Sequence, residues 1–132
     1  MNRVLLADSQ SRVRFALRVL LERRIGIQVV GEAGDAYEMM TQVEMTAPDI
    51  LILAWELPGL AEQGLLAPIR HRFPRLPVIA LSGRPEALHA AIEAGADAFV
   101  SKADPPERLL QAVTRYLCRH PSVDNELQLR TT

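Results

Sequence analysis

The chain has 132 residues, with 15 Lys and Arg against 16 Asp and Glu, 48% hydrophobic but only 5% aromatic side chains, and a single cysteine. That length fits one domain able to bury roughly two-thirds of its unfolded surface, and the near-zero charge argues against both a nucleic-acid-binding module and a polybasic membrane anchor. Cys118 alone cannot form an internal disulfide, the apolar run from Ile50 to Trp55 falls far short of the ~20 residues of a membrane span, and Val4 to Ala7 is too short for a signal-peptide core, so the composition points to a soluble, cytoplasmic domain.

Short apolar runs alternate with longer amphipathic stretches. The first run, Val4 to Ala7, is followed by a helical pattern with Val13, Leu17 and Leu20 at i, i+4, i+7, widened by Ala16 and Leu21. Gln28 to Gly31 forms the second run. The next helix is entered through Gly34-Asp35, is marked by Tyr37, Met40, Val43 and Glu44, and closes before Ala47-Pro48. Ile50 to Leu53 precedes a third helix from about Glu62 to Arg72, with Leu65, Leu66 and Ile69 inward. Val78 to Leu81 precedes a fourth, Pro85 to Ala94, which has Pro in its first turn and stops at Gly95. Ala98 to Val100 precedes a fifth, opening at Pro105-Pro106-Glu107, carrying Leu109, Leu110, Val113 and Leu117, and ending before Pro121. Continuously apolar runs this short suit strands buried on both faces. Five strict strand–helix alternations imply right-handed crossovers and a parallel α/β sheet with helices on both faces. In such sheets chemistry gathers beyond the carboxyl ends of the strands, here at Asp8, Gly31, Ala54, Ser82 and Lys102. Residues 120–132 form a polar tail or the start of a linker, leaving 1–119 as the domain.

The strand-end blocks Arg3-Val-Leu-Leu-Ala-Asp8, Val29-Val-Gly-Glu-Ala-Gly34, Pro48-Asp-Ile-Leu-Ile-Leu53, Trp55-Glu-Leu-Pro-Gly59, Val78-Ile-Ala-Leu-Ser82 and Gly95-Ala-Asp-Ala-Phe-Val-Ser-Lys102 resemble, in order and spacing, the CheY-like receiver domain of two-component response regulators. The likeness runs from residue 3 to about 118 and is nearest to receivers that precede a helix-turn-helix output domain. It implies a flavodoxin-like, five-stranded parallel sheet of order 2-1-3-4-5. It also implies phosphoryl transfer to an aspartate ending the third strand, with Mg²⁺ held by that aspartate and two acids after the first strand. A Ser or Thr after strand four and a Lys after strand five would stabilise the equatorial oxygens.

Two of those parts are missing. Asp8 fills the first acidic position, but the second is Ser9 and the phosphoacceptor position is Ala54. Ser82 and Lys102 are present, with Ser82 and Phe99 at the switch positions. Ala54 alone could be an engineered knockout, whereas Ser9 is an independent loss of the same function, so the pair reads as natural degeneracy. The family pocket carries a formal −2, while Asp8 and Lys102 here cancel. Mg²⁺ is therefore expected to bind weakly or not at all, with Lys102 turned onto Asp8.

The resulting expectation is a non-enzymatic pseudo-receiver in phosphorelay signalling. It would act on a protein partner or output domain, without touching nucleic acid or membrane itself. Candidate contact surfaces, which would also serve a homodimer, are the fourth helix, fifth strand and fifth helix, or the first and fifth helices with the outward Phe15 and Val19. Two alternatives stand beside it: phosphorylation at a substitute residue (Glu56, Ser9 or Ser82), and a small-ligand or anion sensor in the emptied pocket. Glu56 is read as a solvated loop residue more readily than as an inward carboxylate. Arg12, Arg14, Arg18, Arg23 and Arg24 are read as solvating the first helix, and Arg70, His71, Arg72 and Arg75 as a cationic helix end. His71, His89 and His120 show no metal-ligand spacing.

Overall fold

The computed structural model describes residues 2–23, 26–60 and 66–117. Five strands, β1 (Asn2–Ala7), β2 (Ile27–Ala33), β3 (Ile50–Ala54), β4 (Val78–Ser82) and β5 (Ala98–Ser101), form one sheet. Its order is β2-β1-β3-β4-β5, and all neighbours are parallel. The helices are α1 (Ser11–Glu22), α2 (Ala36–Thr46), α3 (Leu66–Arg72), α4 (Ala87–Glu93) and α5 (Pro106–Leu117). The α/β class and strand order are those expected. The start of the third helix, Leu65, the end of the fifth helix before Pro121, Cys118 and the proposed tail lie outside the described residues.

Strand side chains alternate between two apolar layers, as the period-2 pleat requires. Leu5, Ala7, Leu51, Leu53, Val78 and Ala80 pack with Met39, Val43 and Ile69 under α2, α3 and α4. Val4, Leu6, Ile50, Ile52, Ile79 and Leu81 pack with Leu21, Leu109 and Val113 under α1 and α5. β3 and β4 are buried along their whole length, which explains their unbroken apolar runs. The β1–β2 register slips between Val4 and Leu5, which face Val29 and Gly31 and leave Val30 as the extra residue.

Local chemistry sets the helix ends. Asp35 caps α2 by accepting from the Glu38 N–H (2.8 Å), and Glu38 reaches back to accept from the Gly34 N–H (2.6 Å). Gly95, at φ +117°, follows α4 in a conformation open to glycine. α2 is rotated so that Ala36, Met39 and Val43 are buried, Met40 packs at the edge, and Tyr37 is 60% exposed. The docked N-terminus causes this rotation, because the Ala36 N–H donates to Pro58 O (2.9 Å) and a β-carbon at Gly59 would lie 3.3 Å from that of Ala36.

α1 keeps its predicted stripe but sits high on the sheet. Leu21 is its one buried residue among those described, while Val13, Leu17 and Leu20 are only part-covered and Ala16 is exposed. Its flank toward β2 is charged and bound. Arg14 Nε and Arg18 Nη2 ion-pair with Glu32 of β2 at 2.9 and 2.6 Å, and Arg18 also meets Glu22 at 3.3 Å. These arginines are therefore not free solvating groups. Likewise Arg70 donates to Leu76 O and to Asp97 (3.2 Å), and Arg72 pairs with Glu44, so this helix end is wired to its neighbours.

Candidate functional site

The parallel register brings the carboxyl ends of β1, β3, β4 and β5 side by side. Ala7 pairs with Leu53, Ala54 with Leu81, and Ser82 with Ser101. Asp8, Ala54, Ser82 and Lys102 therefore rim one crevice, the place where a parallel sheet presents its chemistry.

Asp8 is 3% exposed, and both its carboxylate oxygens are taken. Oδ1 accepts from the Gln10 N–H (2.8 Å) and Oδ2 accepts from Lys102 Nζ (2.9 Å). Its backbone is held too: the Asp8 N–H donates to Ala33 O (2.9 Å), and Arg14 Nη1 donates to Asp8 O. Lys102 is anchored at its other end, its N–H donating to Ser82 O (2.8 Å). The turn of Lys102 onto Asp8 has the geometry anticipated from the charge sum.

The second contact lies across Ala54. Ser82 is fully buried, and its hydroxyl donates to Glu56 Oε2 (2.5 Å) while accepting from the Arg84 N–H (3.0 Å). Arg84 Nε also meets Glu56 Oε2 at 3.3 Å. Glu56 is thus not a purely solvated loop residue. Its side chain is 43% exposed, yet one oxygen is fixed by a buried hydroxyl and a guanidinium. Sequence reasoning missed Arg84 and Arg14; Arg84 lies two residues past Ser82, within reach of the same turn, a spacing that could have flagged it.

Ala54 is buried, 3% exposed, and presents a methyl group where the crevice floor would need a nucleophile. Ser9 is exposed. Phe99 is part-buried and packs with Trp55 against the α2–α4 layer. Phe15 is 67% and Val19 37% exposed on α1. Among the described residues no buried side-chain nitrogen or oxygen lacks a hydrogen-bond partner.

The residues present do not fit the Mg²⁺ site that the fold family implies. Mg²⁺ needs carboxylate oxygens free to complete an octahedron. Here Asp8 has none to spare, Ser9 and Ala54 contribute no charge, and Glu56 is engaged by Ser82 and Arg84. One carboxyl group outside the crevice is perturbed. Partial burial pushes the Glu32 carboxyl up, but hydrogen bonds and charge from Arg18 and Arg14 outweigh it, leaving the pKa below the ordinary 4.5. Among the described residues no helix is long and apolar enough to cross a membrane.

The chain is similar to the transcriptional activator protein ExaE of Pseudomonas putida, 32% identical over 126 residues that make up 94% of this chain and 59% of the relative. It is 30% identical to the nitrate/nitrite response regulator protein NarL of Escherichia coli, over 83% of this chain and 52% of the relative. The chain thus spans little more than half the length of these curated relatives. Among solved structures it matches a two-component response regulator of the LuxR family from Aurantimonas (TM-score 0.81, 31% identity, 98% of both chains). It also matches RcsB from Salmonella enterica, solved bound to promoter rprA in the presence of phosphomimetic BeF3- (TM-score 0.77, 26% identity, 89% of this chain and 99% of that one). The model of the response regulator receiver domain matches residues 4–114. With that match laid over the observed five-stranded sheet, the chain belongs to the response regulator receiver domain family.

Proposed function

We propose that the chain is a degenerate receiver that does not take a phosphoryl group on the third strand and signals through protein contacts instead. The observation that carries this reading is the buried Ala54 between two self-satisfied contacts, Lys102–Asp8 and Ser82–Glu56–Arg84. Phosphoryl transfer to a carboxylate needs a nucleophile, a cation to screen its charge, and donors held ready for the incoming oxygens. Alanine removes the first, the pairing of Asp8 removes the second, and Lys102 and Ser82 are already spent. The domain is then a binding module and not an enzyme. Its contact surfaces are the α4–β5–α5 side, or α1 with Phe15 and Val19 together with α5; either would also serve a homodimer. The chain covers only 59% and 52% of the two curated relatives, which supports an output segment as a partner of this domain; residues 1–119 are then the receiver, 120–132 the tail or linker, and the cytoplasm the place where it works.

Incubation with acetyl phosphate and Mg²⁺, followed by intact-mass measurement, is expected to leave the mass unchanged. A stoichiometric phosphoryl adduct on the wild-type chain would overturn the reading. Reversion by Ala54→Asp alone is expected to give slow, partial labelling, since Ser9 still withholds the second metal carboxylate.

One observation favours a second reading. The Ser82 hydroxyl lies 2.5 Å from the Glu56 carboxylate, the arrangement of a hydroxyl beside a base. An adduct abolished by Ser82→Ala would select this reading over the first. The anion-sensor alternative finds less support, because the cations that would greet an anion are already paired.

A further inference from the structure

A second concave site lies on the other side of Lys102, away from Ala54. Between α1 and α5 the layer does not close. Ala16, Leu17 and Leu20 on one wall face Leu109 and Pro106 on the other, over a floor of Leu81 and Val100, enclosing about 500 Å³. That size falls within the roughly 300–1,000 Å³ typical of small-molecule sites, which are mostly apolar with a few polar groups at one end. The gap has a local cause. α1 is drawn toward β2 by the Arg14 and Arg18 pairs with Glu32, and at Ala16, the middle of the wall, it presents only a methyl group.

The polar end is equally specific. Arg12, Lys102 and Asp104 lie at the mouth. Lys102 is held by Asp8, and the Asp104 carboxylate accepts from the Ser101 N–H at 3.1 Å. Arg12 makes no ion pair or side-chain hydrogen bond among the described residues. It also sits in the first turn of α1, a turn that lacks acidic residues and a side-chain cap. A cation there is opposed by the helix dipole, and an anion brought to it would relieve both charges. We infer that the α1–α5 groove is a binding site for a small amphiphilic carboxylate, its apolar chain lying along Ala16, Leu20 and Leu109 and its carboxylate meeting Arg12. The inference does not depend on whether position 54 accepts phosphate.

The test uses the full chain and anilinonaphthalene sulfonate as a fluorescent anionic amphiphile, displaced by octanoate, octanol or octylamine. Saturable one-to-one binding is expected, with octanoate competing in the sub-millimolar range and octylamine weaker by roughly tenfold or more. Ala16→Trp, at an exposed position, fills the groove and is expected to abolish binding while circular dichroism stays unchanged. Arg12→Gln keeps the groove and is expected to make octanoate no better than octanol. Equal competition by octylamine and octanoate, undiminished binding to folded Ala16→Trp, or the absence of saturable binding would each overturn the proposal. Should Ala16→Trp fail to fold, the Arg12→Gln comparison decides alone, and retained preference for octanoate in that variant overturns it.

Discussion

The two faces of this sheet are built from the same alternating strands, yet they are finished differently. Under α2, α3 and α4, three residues of α2 and two of α3 are buried among the leucines of β1 and β3. Under α1 and α5, α5 delivers four buried residues but α1 only Leu21, and the remaining space is open. On the first face apolar packing is deep and the polar ties of Arg70 and Arg72 only close its edge. On the second, α1 is held as much by arginines reaching around to Glu32 as by its apolar stripe. Apolar periodicity says which side of a helix faces the sheet, not how deeply it settles.

The contrast can be broken by substitution, beginning where the effect is largest. Met39→Ala, at a fully buried site of the closed face, is expected to cost about 3 kcal/mol in urea unfolding, since transfer and cavity losses add there. The equivalent truncation on the open face, Leu17→Ala, should cost under about 1 kcal/mol, because that side chain is part-exposed and leaves little new cavity. Equal losses at the two sites would show that α1 is as deeply seated as α2. Between these lies Lys102→Met, expected to cost about 2 kcal/mol by leaving the buried Asp8 oxygen without its cation. The double variant Lys102→Met with Asp8→Asn should recover part of that loss.

The smallest effect concerns the arginine tether. The folded-state pKa of Glu32 lies below its ordinary value, so its contribution is complete above that value and is lost as pH falls through the lowered one. Glu32→Gln is therefore expected to destabilise modestly at neutral pH and to converge with wild type at acid pH, as thermal melts across a pH series would show. Convergence at alkaline pH instead would contradict the sign.

The sequence carried much of the fold, because each strand is a short apolar run closed by Gly, Pro or charge, and several helices open or close at a readable Asp, Pro or Gly. Asp35 with Glu38, and Gly95, are local signals that need no tertiary knowledge. The outward position of Tyr37 was not legible, for the opposite reason. The rotation of α2 is set by Ala36 docking on the turn at Pro58 and Gly59, a contact between segments distant in sequence. The candidate site was legible as a set of residues and as a charge sum, and the approach of Lys102 to Asp8 follows from that sum. The inward turn of Glu56 was less legible, because it depends on Arg84 arriving from the next loop. The tether of α1 escaped notice because Arg14, Arg18 and Glu22, spaced by four, share one side of the helix while Glu32 reaches them only once β2 is laid beside β1.

The contact between Lys102 and Asp8 joins residues 94 positions apart, and the same lysine is bonded through its backbone to Ser82. It therefore fastens the last strand to the first and can form only after nearly the whole chain has been brought together, when most of the entropy of loop closure has already been spent. Contacts of that kind leave the folding rate nearly untouched and act on the rate of opening. In the degenerate receiver proposed above this pair serves as a clasp, and its loss should appear as faster unfolding with unchanged refolding.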